Sequence, residues 1–284
     1  MTTSASAARP SDVPVCTIAP AAGWVPIRLA EIWEFRELLF FLVWREVKVR
    51  YKQTALGVAW AILQPLLAMV VFSIFFGRLG HIPSDGLPYP VFAFSALVPW
   101  QLFAFALTES TNSVVANQRL VTKVYFPRLI MPMAAIGVGL VDFCLSLGVL
   151  AALMAYYGVA PSAAVWTLPA WTALALTTAL AVGVWLSALN VRYRDIRYTL
   201  PFLTQIWLFA TPVAYPTSIV PEAWRAVYAL NPMVGVVDGF RWALLGSAPA
   251  PPVTVGVSCL AVGVLLTGGL FYFRRTERTF ADVI

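Results

Sequence analysis

Charge is scarce in this chain of 284 residues. Asp, Glu, Lys and Arg together make up 11% of the sequence, whereas soluble domains carry roughly 25%. Histidine occurs once and cysteine three times, without the spacing of a metal site or of a disulfide framework. The composition therefore argues against a soluble domain, and it predicts no metal ligands in this chain.

A nucleotide-binding loop is also missing. No segment contains the glycine-rich Walker A pattern that ends in Gly-Lys, and the one histidine, His81, lies between apolar runs. We therefore expect a protein that is not an enzyme and holds no cofactor of its own. If ATP hydrolysis drives its activity, a separate ATPase subunit binds the ATP and Mg²⁺. A membrane-embedded transferase is an alternative that the shortage of ionisable groups disfavours.

Long uncharged runs are abundant instead. Hydrophobic residues make up 60% of the chain and the mean hydropathy is +0.80. A helix needs about 20 apolar residues to cross a bilayer core of about 30 Å, and the run 143–191 is long enough for two such helices, with a break near Pro161. We predict an all-α integral membrane protein whose permease domain, residues 53–275, contains six transmembrane helices at 56–76, 91–107, 129–157, 165–189, 200–215 and 253–273.

Positive charges cluster beside alternate runs. Sixteen of the 19 Lys and Arg residues fall on the inner side if the N-terminus is inside, and the outer side holds only Arg78, Arg225 and Arg241. Because basic residues favour cytoplasmic loops, we expect a multi-pass membrane protein with both termini in the cytoplasm. The net charge of +6 flanks apolar spans, which indicates contact with membrane lipid and not with nucleic acid.

The two ends of the chain are different in character from the spans. Residues 1–27 are rich in Ala, Ser, Pro and Thr and predict a disordered cytoplasmic tail, and residues 276–284 form a cytoplasmic C-terminus. Residues 28–52 predict an amphipathic interfacial helix with a basic end. A first span that begins early is the alternative, and three glutamates argue against it. The apolar positions of this helix are Leu29, Ile32, Trp33, Phe40, Val43, Trp44 and Val47.

The outer segment 217–250 does not resemble a simple loop. It contains two apolar pieces, 223–230 and 233–245, each too short to cross a membrane. Such pieces predict short re-entrant helices before the last span. Glu222 and Arg225, like Asp238 and Arg241, are three residues apart, so each carboxylate has a candidate partner on its own helix.

The candidate polar residues at membrane depth are Gln64 and Asp142 within the predicted spans and Glu109 at the inner end of span 2. A charged group at membrane depth is costly, at about 2.5 kcal/mol or more, and marks either a transport pathway or a packed partner. Both readings stay open for Asp142, as a pathway residue or as a carboxyl bonded to a neighbouring helix.

Aromatic residues are dense in spans 1 and 5. Rings near span ends are expected in an interfacial belt, but Trp60 and Trp207 lie deeper. An aromatic channel is the alternative to the belt, since the apolar C–H faces of sugars stack on such rings. Proline residues would kink both spans. The candidate channel residues are Trp60, Phe72, Phe75, Phe76, Trp207, Phe209 and Tyr215.

Two short cytoplasmic connections, 111–128 and 190–197, are candidates for contact with an ATPase. Both are compact enough to act as rigid levers between adjacent spans, although they could equally be positive-inside anchors. The candidate coupling residues are Gln118, Arg119, Lys123, Arg192, Tyr193, Arg194 and Asp195.

Four segments resemble the membrane subunit of bacterial ABC polysaccharide exporters, the permeases of O-antigen and teichoic acid. The resemblance spans about 28–275 in order and implies a homodimer with two copies of a separate ATPase subunit and a channel bordered by spans 1 and 5. The segments are FLVWREVKVRYKQTALGVAWAILQP (41–65), LVPWQLFAFALTESTNSVVANQRLVTKVYFPRLIMP (97–132), LNVRYRDIRY (189–198) and NPMVGVVDGFRWALLG (231–246).

The function expected from this resemblance is ATP-driven export. The chain would be the transmembrane subunit that moves an undecaprenyl-linked polysaccharide of O-antigen, capsule or teichoic-acid type through a channel at the homodimer interface. An ABC permease for a smaller lipid or drug is the alternative.

Overall fold

The computed structural model describes residues 29–52, 55–246 and 252–280. The predicted tail 1–27 lies outside the described residues, as do residues 247–250 of the outer segment and 281–284 of the C-terminus. Within the described ranges the regular elements are helices and no strand occurs, which confirms the all-α class. The α-helices are α1 Leu29–Glu34, α2 Arg36–Lys52, α3 Ala55–Phe72, α4 Tyr89–Ala116, α5 Gln118–Lys123, α6 Ile130–Tyr156, α7 Leu168–Arg192, α8 Ile196–Phe209, α9 Glu222–Tyr228, α10 Pro232–Leu245 and α11 Pro252–Thr276.

Five helical segments of the described chain are long and apolar enough to cross a membrane. They overlap the predicted spans 1, 2, 3, 4 and 6, and α3 reaches the required length because a π-helical stretch, Ser73–Leu79, continues it. The chain is thus a multi-pass membrane protein. The five segments are Ala59–Leu79, Tyr89–Ala116, Ile130–Tyr156, Ala163–Arg192 and Val253–Thr279.

The predicted fifth span, 200–215, forms only the 14-residue helix α8. Such a helix is roughly 21 Å long at about 1.5 Å per residue, which is short of the bilayer core. It ends at Phe209 because the Asn231 amide donates to the Ala210 carbonyl at 3.0 Å, and Pro212 cannot continue a helix. The predicted count of six transmembrane helices is therefore not confirmed.

Helix α4 forms the centre of the molecule. It packs against α6 and α7 and also contacts α3 and α10, and its residues are buried on several sides. It extends beyond the predicted end of span 2 at Leu107, and hydroxyl and amide side chains of its last turns are satisfied by carbonyls of the same helix. The Thr108 hydroxyl donates to the Ala104 carbonyl at 2.8 Å, and the Asn112 amide donates to the Thr108 carbonyl at 3.0 Å.

Helix α2 is apolar on two sides. One side packs against α6 and other long helices, where Leu42 is buried among hydrophobic residues. Three members of the predicted apolar face, Trp33, Phe40 and Trp44, are exposed instead. The helix predicted for 28–52 therefore forms, with a break at Phe35, while its placement in the membrane interface stays a prediction.

The two connections that are predicted to be cytoplasmic lie at the same end of the long helices. The Asn190 amide, at the end of α7, donates to the Thr111 carbonyl at 3.1 Å. Near the other end of the sequence, Arg274 contacts Glu31 at 3.1 Å and Glu277 at 2.7 Å. These contacts fasten α1 to the end of α11.

The two pieces predicted between α8 and the last span are helices α9 and α10. Asn231 caps α10 by accepting a hydrogen bond from the Met233 N–H at 3.1 Å, and Gly246 ends it in the left-handed conformation, with φ of 65°. The predicted pair of Glu222 and Arg225 is present at 3.5 Å.

The expected ion pair of Asp238 and Arg241 does not form among the described residues. The Thr217 hydroxyl donates one bifurcated hydrogen bond to Asp238, with its oxygen 2.6 and 2.8 Å from the two carboxylate oxygens. Arg241 donates to the Val213 carbonyl at 2.9 Å and lies 3.7 Å from the centre of the Phe92 ring. Each charge therefore fastens α10 to another segment, because the loop after α8 folds back onto this helix.

Candidate functional site

A cavity of 660 Å³ lies between α3, α4 and α6. The three polar residues predicted at membrane depth, Gln64, Glu109 and Asp142, all line it. Two of the predicted channel aromatics, Trp60 and Phe72, line it as well. Residues that are far apart in the sequence thus form one site, in which aromatic rings, amides and carboxylates are combined.

Helical spacing explains how each wall is formed. Residues three or four apart lie on one face of a helix, and α3 presents Trp60, Gln64 and Phe72 with this spacing. Helix α6 does the same with Gly139, Asp142, Phe143 and Ser146, and α4 with Gln101, Phe105, Thr108 and Glu109. The absence of a side chain at Gly139 lets α4 approach closely, since a Cβ there would lie 2.8 Å from the Phe105 ring.

Asp142 is bonded to α2. One carboxylate oxygen accepts a hydrogen bond from Arg50 at 2.7 Å, and the other accepts one from the Tyr51 hydroxyl. Burial, followed by this hydrogen bond and the charge of Asp142, raises the pKa of Tyr51 to about 12, so the hydroxyl remains a donor at neutral pH. The structure supports the interpretation of Asp142 as a carboxyl bonded to a neighbouring helix. The same residue also lines the cavity.

Glu109 lines both this cavity and a second one nearer the C-terminal end of α4. The second cavity measures 180 Å³ and shares Arg50, Phe105 and Glu109 with the first. At its far end Arg45 donates to the Asn117 side-chain oxygen at 2.9 Å. A line of polar side chains therefore follows α4 from its C-terminal end to the middle of the helix.

The predicted channel aromatics fall into an exposed set and a packed set. Trp60, Phe75 and Phe209 are more than half exposed, at 58%, 59% and 52%. Phe72 is buried, and Phe76 packs edge-on against it with ring centres 5.3 Å apart.

Trp207 and Tyr215 belong to the packed set. The Trp207 indole N–H donates to the Asn231 side-chain oxygen at 2.8 Å, and its ring meets Phe103 at 4.9 Å. The Tyr215 hydroxyl bonds the Phe209 carbonyl at 3.0 Å and lies 2.9 Å from the Tyr228 hydroxyl. Both side chains hold the short helices together.

All seven candidate coupling residues are exposed, at the end of the helices that is predicted to face the cytoplasm. Gln118, Arg119 and Lys123 lie on α5, a helix of six residues. Arg192 ends α7, and Tyr193, Arg194 and Asp195 form the link to α8. Since Asn190 fastens the end of α7 to α4, the two connections are accessible from the same side.

Sequence reasoning missed several lining residues. Arg50 was assigned only to the basic end of the interfacial helix, although it reaches Asp142. Gln101 was overlooked, yet its spacing from Phe105 and Glu109 places all three on one helical face. The signal for Gln101 was therefore present, whereas the contact of Arg50 depends on how α2 packs.

A larger cleft of 1090 Å³ lies between α7 and α11. It is lined by none of the predicted channel or coupling residues. Its walls are largely apolar, and arginines lie at the cytoplasmic end.

Comparison with known proteins gives consistent results. The model of a family described as ABC-2 type transporter matches residues 37–245. The chain is 34% identical to the O-antigen export system permease protein RfbA of Myxococcus xanthus, over 91% of this chain and 100% of that protein. It is 26% identical to RfbA of Klebsiella pneumoniae, over 87% and 95%, and 24% identical to the polysialic acid transport protein KpsM of Escherichia coli, over 82% and 91%.

Proposed function

We propose, from the fact that this chain belongs to the ABC-2 type transporter family, that it is the membrane subunit of an ATP-driven exporter of a lipid-linked polysaccharide. It would act in the bacterial cytoplasmic membrane with both termini in the cytoplasm. The relatives named above for O-antigen export and polysialic acid transport support a polysaccharide as the substrate.

The combination of side chains in the 660 Å³ cavity carries this proposal. Trp60 offers an apolar ring for the C–H face of a sugar, while Gln64 and Gln101 offer amides for hydroxyl groups. Sites of this kind hold a polar ligand by a few hydrogen-bonding groups placed among aromatic rings. A channel for a lipid or drug without hydroxyl groups would gain little from the two amides.

A separate ATPase would supply the energy. We propose that two copies of that subunit bind ATP and Mg²⁺ and contact α5 and the link 193–195 of two copies of this chain. The exposed apolar faces of α3 and α8 support a homodimer with the channel between them, because large apolar surfaces mark contacts with partners or with lipid. These faces include Leu63, Leu67, Val71, Phe75, Phe202, Leu203, Ile206 and Phe209.

A deletion strain tests the proposed substrate. Without this chain, undecaprenyl-linked glycan should accumulate at the cytoplasmic face of the membrane while surface glycan is lost, and the intact gene should restore both. The proposal would be contradicted if the deletion strain kept its surface glycan and instead failed to export a small lipid or a drug. That result would favour a permease for a smaller substrate.

A further inference from the structure

The 1090 Å³ cleft between α7 and α11 has an apolar floor and no role in the proposed transport path. Trp185 of α7 stacks on Tyr272 of α11 with ring centres 4.9 Å apart and planes 16° apart. The outer wall carries Leu260 and Val264, which are both exposed. The cleft exceeds the roughly 300–1,000 Å³ of sites for drug-sized molecules, so it can accommodate a long hydrocarbon chain.

Two polar side chains of these walls, Trp185 and Thr267, are already bonded within the protein. The Trp185 indole N–H donates to the Leu265 carbonyl at 2.8 Å, and the Thr267 hydroxyl donates to the Gly263 carbonyl at 2.7 Å. This part of the cleft therefore offers a ligand little beyond apolar contact, and an acyl chain matches it better than a glycan.

The cytoplasmic end of the cleft is basic. Arg274, Arg275 and Arg278 line it. Arg274 is engaged by Glu31 and Glu277, whereas Arg275 is exposed and makes no ion pair within the described part of the chain. Arg278 is exposed beside it. Arginine matches the geometry of phosphate oxygens, because its planar fork donates two hydrogen bonds at once.

We propose that this cleft is a binding site for an anionic glycerophospholipid of the cytoplasmic leaflet, with an acyl chain along α11 and the phosphate at Arg275 and Arg278. The arginines at the end of the cleft would favour a lipid with a negatively charged head group. A second copy of this chain is a poorer fit, since a two-fold contact centred on the cleft would bring one arginine cluster against another. A zwitterionic lipid would fill the apolar part but would bind the arginines less strongly.

The test measures lipid binding to the purified full-length transporter in detergent by native mass spectrometry. Phosphatidylglycerol should bind more tightly than phosphatidylcholine of the same chain length. Arg275→Gln combined with Arg278→Gln should weaken phosphatidylglycerol binding roughly 30-fold, since each basic residue near an anionic surface contributes about 1 kcal/mol, and should leave phosphatidylcholine binding unchanged.

A pair of glycine variants tests whether the apolar part of the cleft binds the acyl chain. Gly263 lines the cleft and Gly256 does not, and a Cβ at either position would meet no atom within 4 Å. Gly263→Leu should weaken the binding of both lipids, and Gly256→Leu should not.

Three outcomes would overturn the proposal. They are equal binding of the two lipids to the unaltered protein, retained preference for phosphatidylglycerol in the double arginine variant, and equal effects of the two glycine variants. Cross-linking of two copies through Gly263→Cys, in a chain whose three native cysteines are replaced, would assign the cleft to a second copy instead.

Discussion

At the scale of single residues, the carboxylate of Asp142 joins two helices. It accepts hydrogen bonds from Arg50 and Tyr51 of α2 while lying on the cavity wall formed by α6. The ion pair is partly exposed, with 40% of the Arg50 side chain accessible, and exposed pairs contribute little to stability. Its main effect would therefore be to fix the position of α2 beside the cavity.

Replacement of Asp142 tests this contact. Asp142→Ala should lower the free energy of unfolding by about 1 kcal/mol, and Asp142→Asn by less, because the amide oxygen still accepts one hydrogen bond. A double-mutant cycle with Arg50→Gln, measured by chemical unfolding in detergent, should show that the two changes are not additive. Additive effects would mean that Asp142 and Arg50 do not interact.

The two deep tryptophans should respond differently to truncation. Trp60 is 58% exposed, so Trp60→Ala should leave folding intact and reduce surface glycan per folded transporter. Trp207→Ala removes the contacts with Asn231 and Phe103, and we expect it to destabilise the protein by about 2–4 kcal/mol. Trp166, which is exposed but lies outside the cavity, provides the control Trp166→Ala. Normal export by Trp60→Ala would contradict an aromatic lining at this position.

At the scale of elements, the two connections that are predicted to be cytoplasmic are exposed and could be reached by a partner. Arg192→Glu and Arg194→Glu should abolish export or separate it from ATP hydrolysis, with the chain still present in the membrane, because these exposed charges lie on a short link between α7 and α8. Arg78→Glu, an exposed arginine of the predicted outer side, should have no such effect. Normal export by both Arg192→Glu and Arg194→Glu would contradict a coupling role. The basic residues of this connection would then serve only to set the orientation of the chain in the membrane.

The long helices could be predicted from the sequence because each contains its own signal. An uncharged run of span length specifies a membrane helix locally, and this succeeded for α3, α4, α6, α7 and α11. The end of α8 could not be predicted in the same way. It depends on Asn231, which lies 21 residues beyond Ala210 in the chain and reaches it only after α10 has packed.

The candidate site was predictable in its chemistry and not in its geometry. Gln64, Glu109 and Asp142 stood out because polar groups are rare in apolar runs, but no local pattern showed that they line one cavity. Trp207 was expected beside a channel because it lies far from the span ends. Its hydrogen bond to Asn231 could not be foreseen, because that partner belongs to a separate short helix.

At the scale of the whole molecule, the central helix α4 connects the features of the proposed exporter. Its middle forms a wall of the polar and aromatic cavity, its C-terminal end leads into α5, and it also packs against α10. A movement of α5 under an ATPase would therefore be transmitted to the cavity through one continuous helix.

Transport in reconstituted vesicles tests the central claim most directly. The chain would be purified with its ATPase partner, inserted into liposomes, and supplied with lipid-linked glycan on the ATPase side. The account predicts that ATP and Mg²⁺ move the glycan to the opposite leaflet and that Trp60→Ala slows this movement per folded transporter. ATP hydrolysis without any movement of lipid-linked glycan, in vesicles that transport a smaller lipid or drug, would contradict it.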